Sequence, residues 1–189
     1  MALEDLITKA EARKQLRWPA SFTSDDAELE QDYIPAATPV VEDVVGPVVQ
    51  RAFTETLPGG ARAVLLSRAA SSITSVVVDG AAFTDFTADL GAGIVYGGGV
   101  LTPRTFDGGV GSVVVTYVAG KVANTAAVPK NIKLAARIIV ARAWQADHQG
   151  FTSDDDQAPR MVRTPSGFEI PADALAFLAD DGDVMPGFA

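Results

Sequence analysis

The chain has 189 residues, enough for one domain with an appendage and for a core that needs no covalent staple. It is 48% hydrophobic and 21% charged, and it has no cysteine, which excludes disulfides, thiolate zinc sites, iron–sulfur clusters and cysteine nucleophiles. A net charge of −9 argues against a dedicated nucleic-acid surface, and a single histidine excludes any site that needs two.

No apolar run is long enough to cross a membrane, and Met1-Ala2-Leu3-Glu4-Asp5 lacks the basic and apolar stretches of a signal peptide. A soluble, intracellularly made protein is expected.

The first predicted element is a helix over 3–16, with Leu3, Leu6, Ile7 and Ala10 at helical spacing. Trp18-Pro19 breaks it. A second helix is predicted over 24–45, capped by Thr23 or Ser24 and carrying acids in its first turn, where the helix dipole favours them. Its apolar stripe runs from Leu29 to Val45, and Gly46-Pro47 stops it. Pro35 and Pro39 do not fit an unbroken helix, so a kink or split is expected near Ile34, with Pro35 opening a second piece.

From 48 to 120 the period changes to that of a β section. Gln50 to Leu57 reads as a strand, Pro58-Gly59-Gly60 as a turn, and Arg62 to Leu66 as the returning strand of a hairpin. Further strands are predicted over Ser72 to Val78, closed by Asp79-Gly80, over Ile94 to Tyr96, and over Val110 to Ala119. A third helix is predicted over 129–148, with Pro129 in its first position and a polar stripe limited to Lys130, Lys133, Arg137 and His148. So apolar a helix needs cover on several sides, which suggests contact with another subunit.

Residues 150–189 read as a polar linker and a C-terminal arm, ending in a short helix from Ala172 to Leu178. The whole order reads as α+β: a helical core over 1–149, with two N-terminal helices and one long late helix, an inserted small antiparallel β section, and an extended arm.

No catalytic, metal or cofactor site emerges. The only Gly-Lys, Gly120-Lys121, has Val115 where a phosphate loop needs its first glycine. Gly91-Ala92-Gly93 has three residues, not two, before Gly97. Ser166 lacks the Gly-x-Ser-x-Gly elbow, and His148 reads as a surface or capping residue. Asp154-Asp155-Asp156 and Asp180-Asp181-Gly182-Asp183 lack the frame of an ordered calcium loop.

Two sets of residues invite a functional reading. No base lies between Arg17 and Arg51, while Asp25, Asp26, Glu28, Glu30, Asp32, Glu42 and Asp43 do. They form either a solvated helix face or a negative wall along which a polyanion slides without sticking. Beyond the linker, Phe168, Ile170, Leu175, Phe177 and Leu178 sit where no core evidently needs them, and they read as anchors for a partner. Trp18 could be an interface anchor, whereas Trp144 continues an apolar helix pattern and reads as core.

The order of these segments resembles the head–tail connector (adaptor) proteins of long-tailed double-stranded DNA phages. The resemblance rests on Asp25-Asp26-Ala27-Glu28-Leu29 through Tyr33-Ile34 to Gly46, and on Ile73-Thr74-Ser75-Val76-Val77-Val78-Asp79-Gly80. It continues through Val113 to Tyr117 with Ala119-Gly120, Val128-Pro129, Ile132 to Ala136 and Trp144. It ends in Gly167-Phe168-Glu169-Ile170-Pro171 with Leu175 and Leu178. Pro35, Pro39 and Arg68-Ala69-Ala70 depart from the family pattern.

The resemblance implies a non-enzymatic ring subunit of the virion, typically dodecameric and made in the host cytoplasm. It would dock under the portal protein, meet a stopper or tail-completion protein, and pass DNA without sequence-specific binding. The five arm residues would then reach the portal or a neighbouring subunit, and the acids Asp25, Asp26, Glu28, Glu30 and Asp32 would face the channel. Removing 151–189 would abolish docking and leave the core folded. The rival reading is a tail-associated or free-standing β-rich binding module with a pocket near Gly97 to Gly109. A small hydrolase using His148 and a carboxylate is a third.

Overall fold

The computed structural model describes residues 5–99, 102–149, 161–163 and 169–179. The fold is α+β, and the chain divides into two compact units. The described residues of 1–49 and 122–189 form a helical unit, and residues 50–121 form a β unit.

In the helical unit, α1 spans Lys9–Leu16 rather than starting at residue 3. Thr8 sets the start. Its Oγ1 accepts from the Glu11 N–H at 3.3 Å, and Glu11 Oε2 accepts from the Thr8 N–H at 2.9 Å, a reciprocal cap that satisfies two otherwise orphaned donors. Leu6 and Ile7 precede the helix and are buried in the core.

The expected split at Ile34 is present. A single turn, α2 (Asp26–Glu28), runs into a π turn over Leu29–Tyr33, and α3 (Ile34–Val45) follows. The Ile34 N–H bonds back to Leu29 O, five residues away. That widened turn comes directly before Pro35, whose ring would otherwise meet the carbonyl of the preceding turn. Pro39 sits inside α3 on its exposed side. Gly46 (φ +76°) ends α3, and Glu42 then accepts from the Val48 N–H at 2.9 Å.

Helix α4 (Lys130–Gln149) is the centre of this unit. Its Ile132, Ala135, Ala136 and Val140 are buried with Leu29, Ile34, Val41 and Val45 from the π turn and α3. Helix α5 (Ala172–Ala179) packs beside it, as does α1. Much of the cover that α4 demands therefore comes from its own chain, while Leu134, Ile138 and Ile139 stay half-buried.

The β unit holds two sheets around one core. The strands are β1 (Arg51–Leu57), β2 (Ala63–Leu65), β3 (Ser72–Val78), β4 (Ala81–Ala82), β5 (Phe86–Asp89), β6 (Ile94–Gly99), β7 (Thr102–Pro103) and β8 (Val113–Ala119). The larger sheet has the order β1-β8-β3-β4, and the smaller has β2-β6-β5 with β7 beside β6. Inward residues of both sheets, among them Val64, Val95, Val76, Val78, Val113, Val115 and Tyr117, enclose Phe106. Each fully buried valine contributes roughly 1.5–3 kcal/mol of burial.

The hairpin expected between β1 and β2 does not form, because the two strands belong to different sheets. Gly59 and Gly60 donate to the carbonyls of Gly109 and Phe106 at 3.0 and 2.7 Å and carry the chain across the core. A Cβ on Gly59 would lie 2.3 Å from Ser112 Oγ, so this crossing needs glycine. Strand β8 begins at Val113 rather than Val110, which is fully exposed.

One polar cluster ties β1 to the loop after β2. Glu55 accepts from the Ser67 N–H at 3.0 Å, from Ser67 Oγ and from the buried Tyr117 hydroxyl, with Arg68 at 3.9 Å. Burial alone would raise the Glu55 carboxyl, but these bonds outweigh it and hold its pKa below the usual glutamate value. A depressed folded pKa contributes stability above the unfolded value of about 4.3, and that stability is lost as pH falls through the folded value. Protection factors of amides in β1 and β8, corrected for the slower intrinsic exchange in acid, should therefore fall below about pH 4. Glu55→Gln should flatten that part of the profile, and an unchanged profile would remove Glu55 as the cause.

Candidate functional site

Of the five acids read as a wall, Asp26 and Glu30 are paired with bases of α1. Arg13 Nη1 pairs with Asp26, and Lys9 Nζ pairs with Glu30 Oε2 at 2.8 Å. Glu28 lies 3.2 Å from the Tyr33 hydroxyl and 3.7 Å from His148 Nε2. Asp32 is exposed and Asp25 half-buried, and neither makes an ion pair among the described residues. The neutralising bases come from α1, upstream of the stretch that looked free of bases. Arg13 also donates through Nη2 to the carbonyls of Pro19 and Ala20, at 3.0 and 3.3 Å, which fixes the loop between α1 and α2.

His148 sits at the end of α4, stacked on Trp144 with ring centroids 4.2 Å apart. Its Nδ1 lies 3.0 Å from the Trp144 carbonyl. Trp144 meets Trp18 edge-on at 5.2 Å, and Trp18 meets Phe22 at 4.9 Å. Both tryptophans thus pack against the helical core, Trp18 included. The Tyr33 hydroxyl donates to Asp147 Oδ2 at 2.7 Å. Burial, then the bonds to Asp147 and Glu28, raises its pKa and keeps it a donor. No hydroxyl nucleophile is hydrogen-bonded to His148 among the described residues, and no group of three metal-ligating side chains is found among them.

The arm residues divide. Strand β9 (Met161–Arg163) pairs antiparallel with β10 (Glu169–Pro171), which leads straight into α5. Ile170 and Leu178 are 0% exposed, packed with Ala174 into the helical core. The expectation that no core needs them does not hold. Leu175 is half-buried, and Phe177 is 37% exposed, with its carbonyl accepting from Asn131 Nδ2 at 3.1 Å. Phe168 lies outside the described residues, as do Asp154-Asp155-Asp156 and Asp180 to Asp183.

The β unit carries a half-open groove of about 490 Å³, lined by Arg62, Ala63, Thr87, Tyr96, Gly98 and Pro103 among others. Glycine is required on its floor. Gly98 has φ +77°, and a Cβ there would sit 2.1 Å from the Thr102 carbonyl. The groove lies at the start of the predicted Gly97 to Gly109 stretch.

Solved structures share this fold. One, the neck of an empty gene transfer agent particle computed with C6 symmetry, aligns with a TM-score of 0.63 and 21% identity over 93% of this chain and 88% of its own. A second, the virion of a native gene transfer agent particle, gives 0.62 and 19% over 93% and 88%. A third, the neck of a native particle computed with C12 symmetry, gives 0.55 and 15% over 95% and 94%. The likeness is one of fold. No family model and no curated protein matches the sequence.

Burial of Leu178 makes a direct prediction. Leu178→Ala should destabilise the helical unit by about 2–5 kcal/mol. Trp18 and Trp144 are the only tryptophans and both lie in that unit, so urea unfolding followed by their fluorescence reads it alone. An unchanged midpoint would show that Leu178 is dispensable to the core and free to serve a partner.

Proposed function

We propose that the protein is a structural, non-enzymatic subunit of the neck of a phage-like particle, in a ring that docks under the portal, extends the DNA channel and joins head to tail. The observation that carries this reading is the fold shared with proteins in particle necks computed with C6 and C12 symmetry, along 93% and 95% of the chain. Closed rings of identical subunits need heterologous contacts that close on themselves, and a dodecamer would match the symmetry of such necks. The head–tail connector resemblance of the sequence supports the same role, with the portal on one side and a stopper or tail-completion protein on the other. DNA passing through such a ring would meet an acidic protein, which disfavours sticking.

The groove at Gly97 to Gly99 favours the second reading, a β-rich binding module that holds a ligand in the β unit. The two readings part in an assembly assay. Particles produced without this protein should accumulate as filled heads separate from tails, and adding the purified chain should join them. Complete, tailed particles in its absence would refute the neck role and leave the binding module.

A further inference from the structure

The two sheets of the β unit enclose one core, so their outer faces point in opposite directions. The outer face of the larger sheet lacks the charged character of an ordinary solvated sheet, and that of the smaller sheet carries one acid, Asp89 of β5, which pairs with Ile94. On the larger sheet, the register sends Thr54 and Thr56 of β1, Val114, Thr116 and Val118 of β8, and Val77 of β3 outward. Every outward position of β1, β8, β3 and β4 is Ala, Ser, Thr or Val. Not one is charged, in a chain with 15 bases and 24 acids. Thr54 and Thr116 satisfy each other across the strands at 3.2 Å, which leaves the face flat and nearly neutral. On the smaller sheet, Leu65 is 66% and Tyr96 42% exposed beside the groove. They share a face through the pairs Ala63↔Tyr96 and Leu65↔Ile94.

We propose that the outer face of the larger sheet in one copy packs against the Leu65–Tyr96 face of the smaller sheet in the next copy. The inference rests on the ring reading and names the surfaces that would build it. Charge argues for a second copy as the occupant. Each chain carries −9, so copies that met with acids on both surfaces would set like charges together, whereas here Asp89 of the smaller sheet would meet a face that bears no acid. The Ser/Thr/Val face can be covered without stripping water from an ion, and Leu65 and Tyr96 supply anchors for the contact. Because the two faces differ and point apart, the contact is head-to-tail and repeats from copy to copy.

Its size sets its strength. Strands about 4.8 Å apart and seven residues long give a footprint on the order of 400 Å². A standard stable interface covers about 800 Å² per partner, so this contact alone is weak and gains from ring closure or a template.

The absence of cysteine makes the test clean, because introduced thiols are the only ones. Thr54→Cys and Leu65→Cys variants, mixed and treated with a short bismaleimide, should give covalent dimer in about tenfold excess over either variant alone, since the contact raises the local thiol concentration. The double variant should give a ladder of multimers. Thr56→Cys with Tyr96→Cys repeats the test at independent positions, and Ala20→Cys, exposed in the helical unit, is the control. Dimers from Thr54→Cys alone at the mixed level would mean a face-to-face contact and overturn the proposal, as would no excess over the control. A ladder without closed rings would keep the contact and refute the ring. Closed rings in electron micrographs without the cross-linking excess would do the reverse.

Discussion

The demand of α4 for cover governs the helical unit. With Ile132, Ala135, Ala136 and Val140 inward and Leu134, Ile138 and Ile139 half-buried, α4 presents more apolar surface than one neighbour can remove from water. The chain meets that demand with segments far apart in sequence: α1, the π turn and α3 from before the β unit, and β10 with α5 from the end. The π turn belongs to the same solution. It accommodates Pro35 while keeping Leu29 and Tyr33 on one side of the break and Ile34, Ala37 and Val41 on the other, all directed at the core. Ile170 and Leu178 then fill what remains, so the C-terminal segment is part of the fold it was expected to extend from.

Local signals were legible in the sequence, and pairings were not. The break at Ile34, the third helix after Pro129, the strand ending at Asp79-Gly80 and the short helix after Pro171 were each readable from proline, glycine and periodicity. The pairing of β1 with β8, from Arg51↔Ala119 to Leu57↔Val113, joins residues more than fifty positions apart, and no turn residue announces it. Instead, Pro58-Gly59-Gly60 has the composition of a hairpin turn but serves a crossing between sheets. Strand β5 was missed because Phe86–Asp89 is short and lies between turn residues.

The candidate sites follow the same division. A charge count along the chain found the acids near Asp26 and Glu30 but could not see that Lys9 and Arg13 would fold back on them. A count of apolar residues found the C-terminal anchors but could not tell a partner's groove from the chain's own. The uncharged outer face of the larger sheet went unremarked, because its residues are spread over four strands and only the register collects them on one side. The pocket near Gly97 to Gly109 belonged to the rival reading, which took the glycines for ligand-holding loops, whereas Gly97, Gly98 and Gly99 lie in strand β6.

Charge separates these surfaces into roles. Among the described residues of the helical unit, Glu11, Asp26 and Glu30 are paired with bases, and the β unit keeps the outer face of its larger sheet free of charge. An acidic protein that must meet copies of itself needs such a face, and one that stays monomeric has little reason to keep it. The most direct test of the ring reading is native mass spectrometry of the purified chain over a range of concentrations, with and without portal rings, and electron micrographs of the same samples. The account predicts closed rings around an axial hole at high concentration or on the portal. A monomer under every one of these conditions would contradict it.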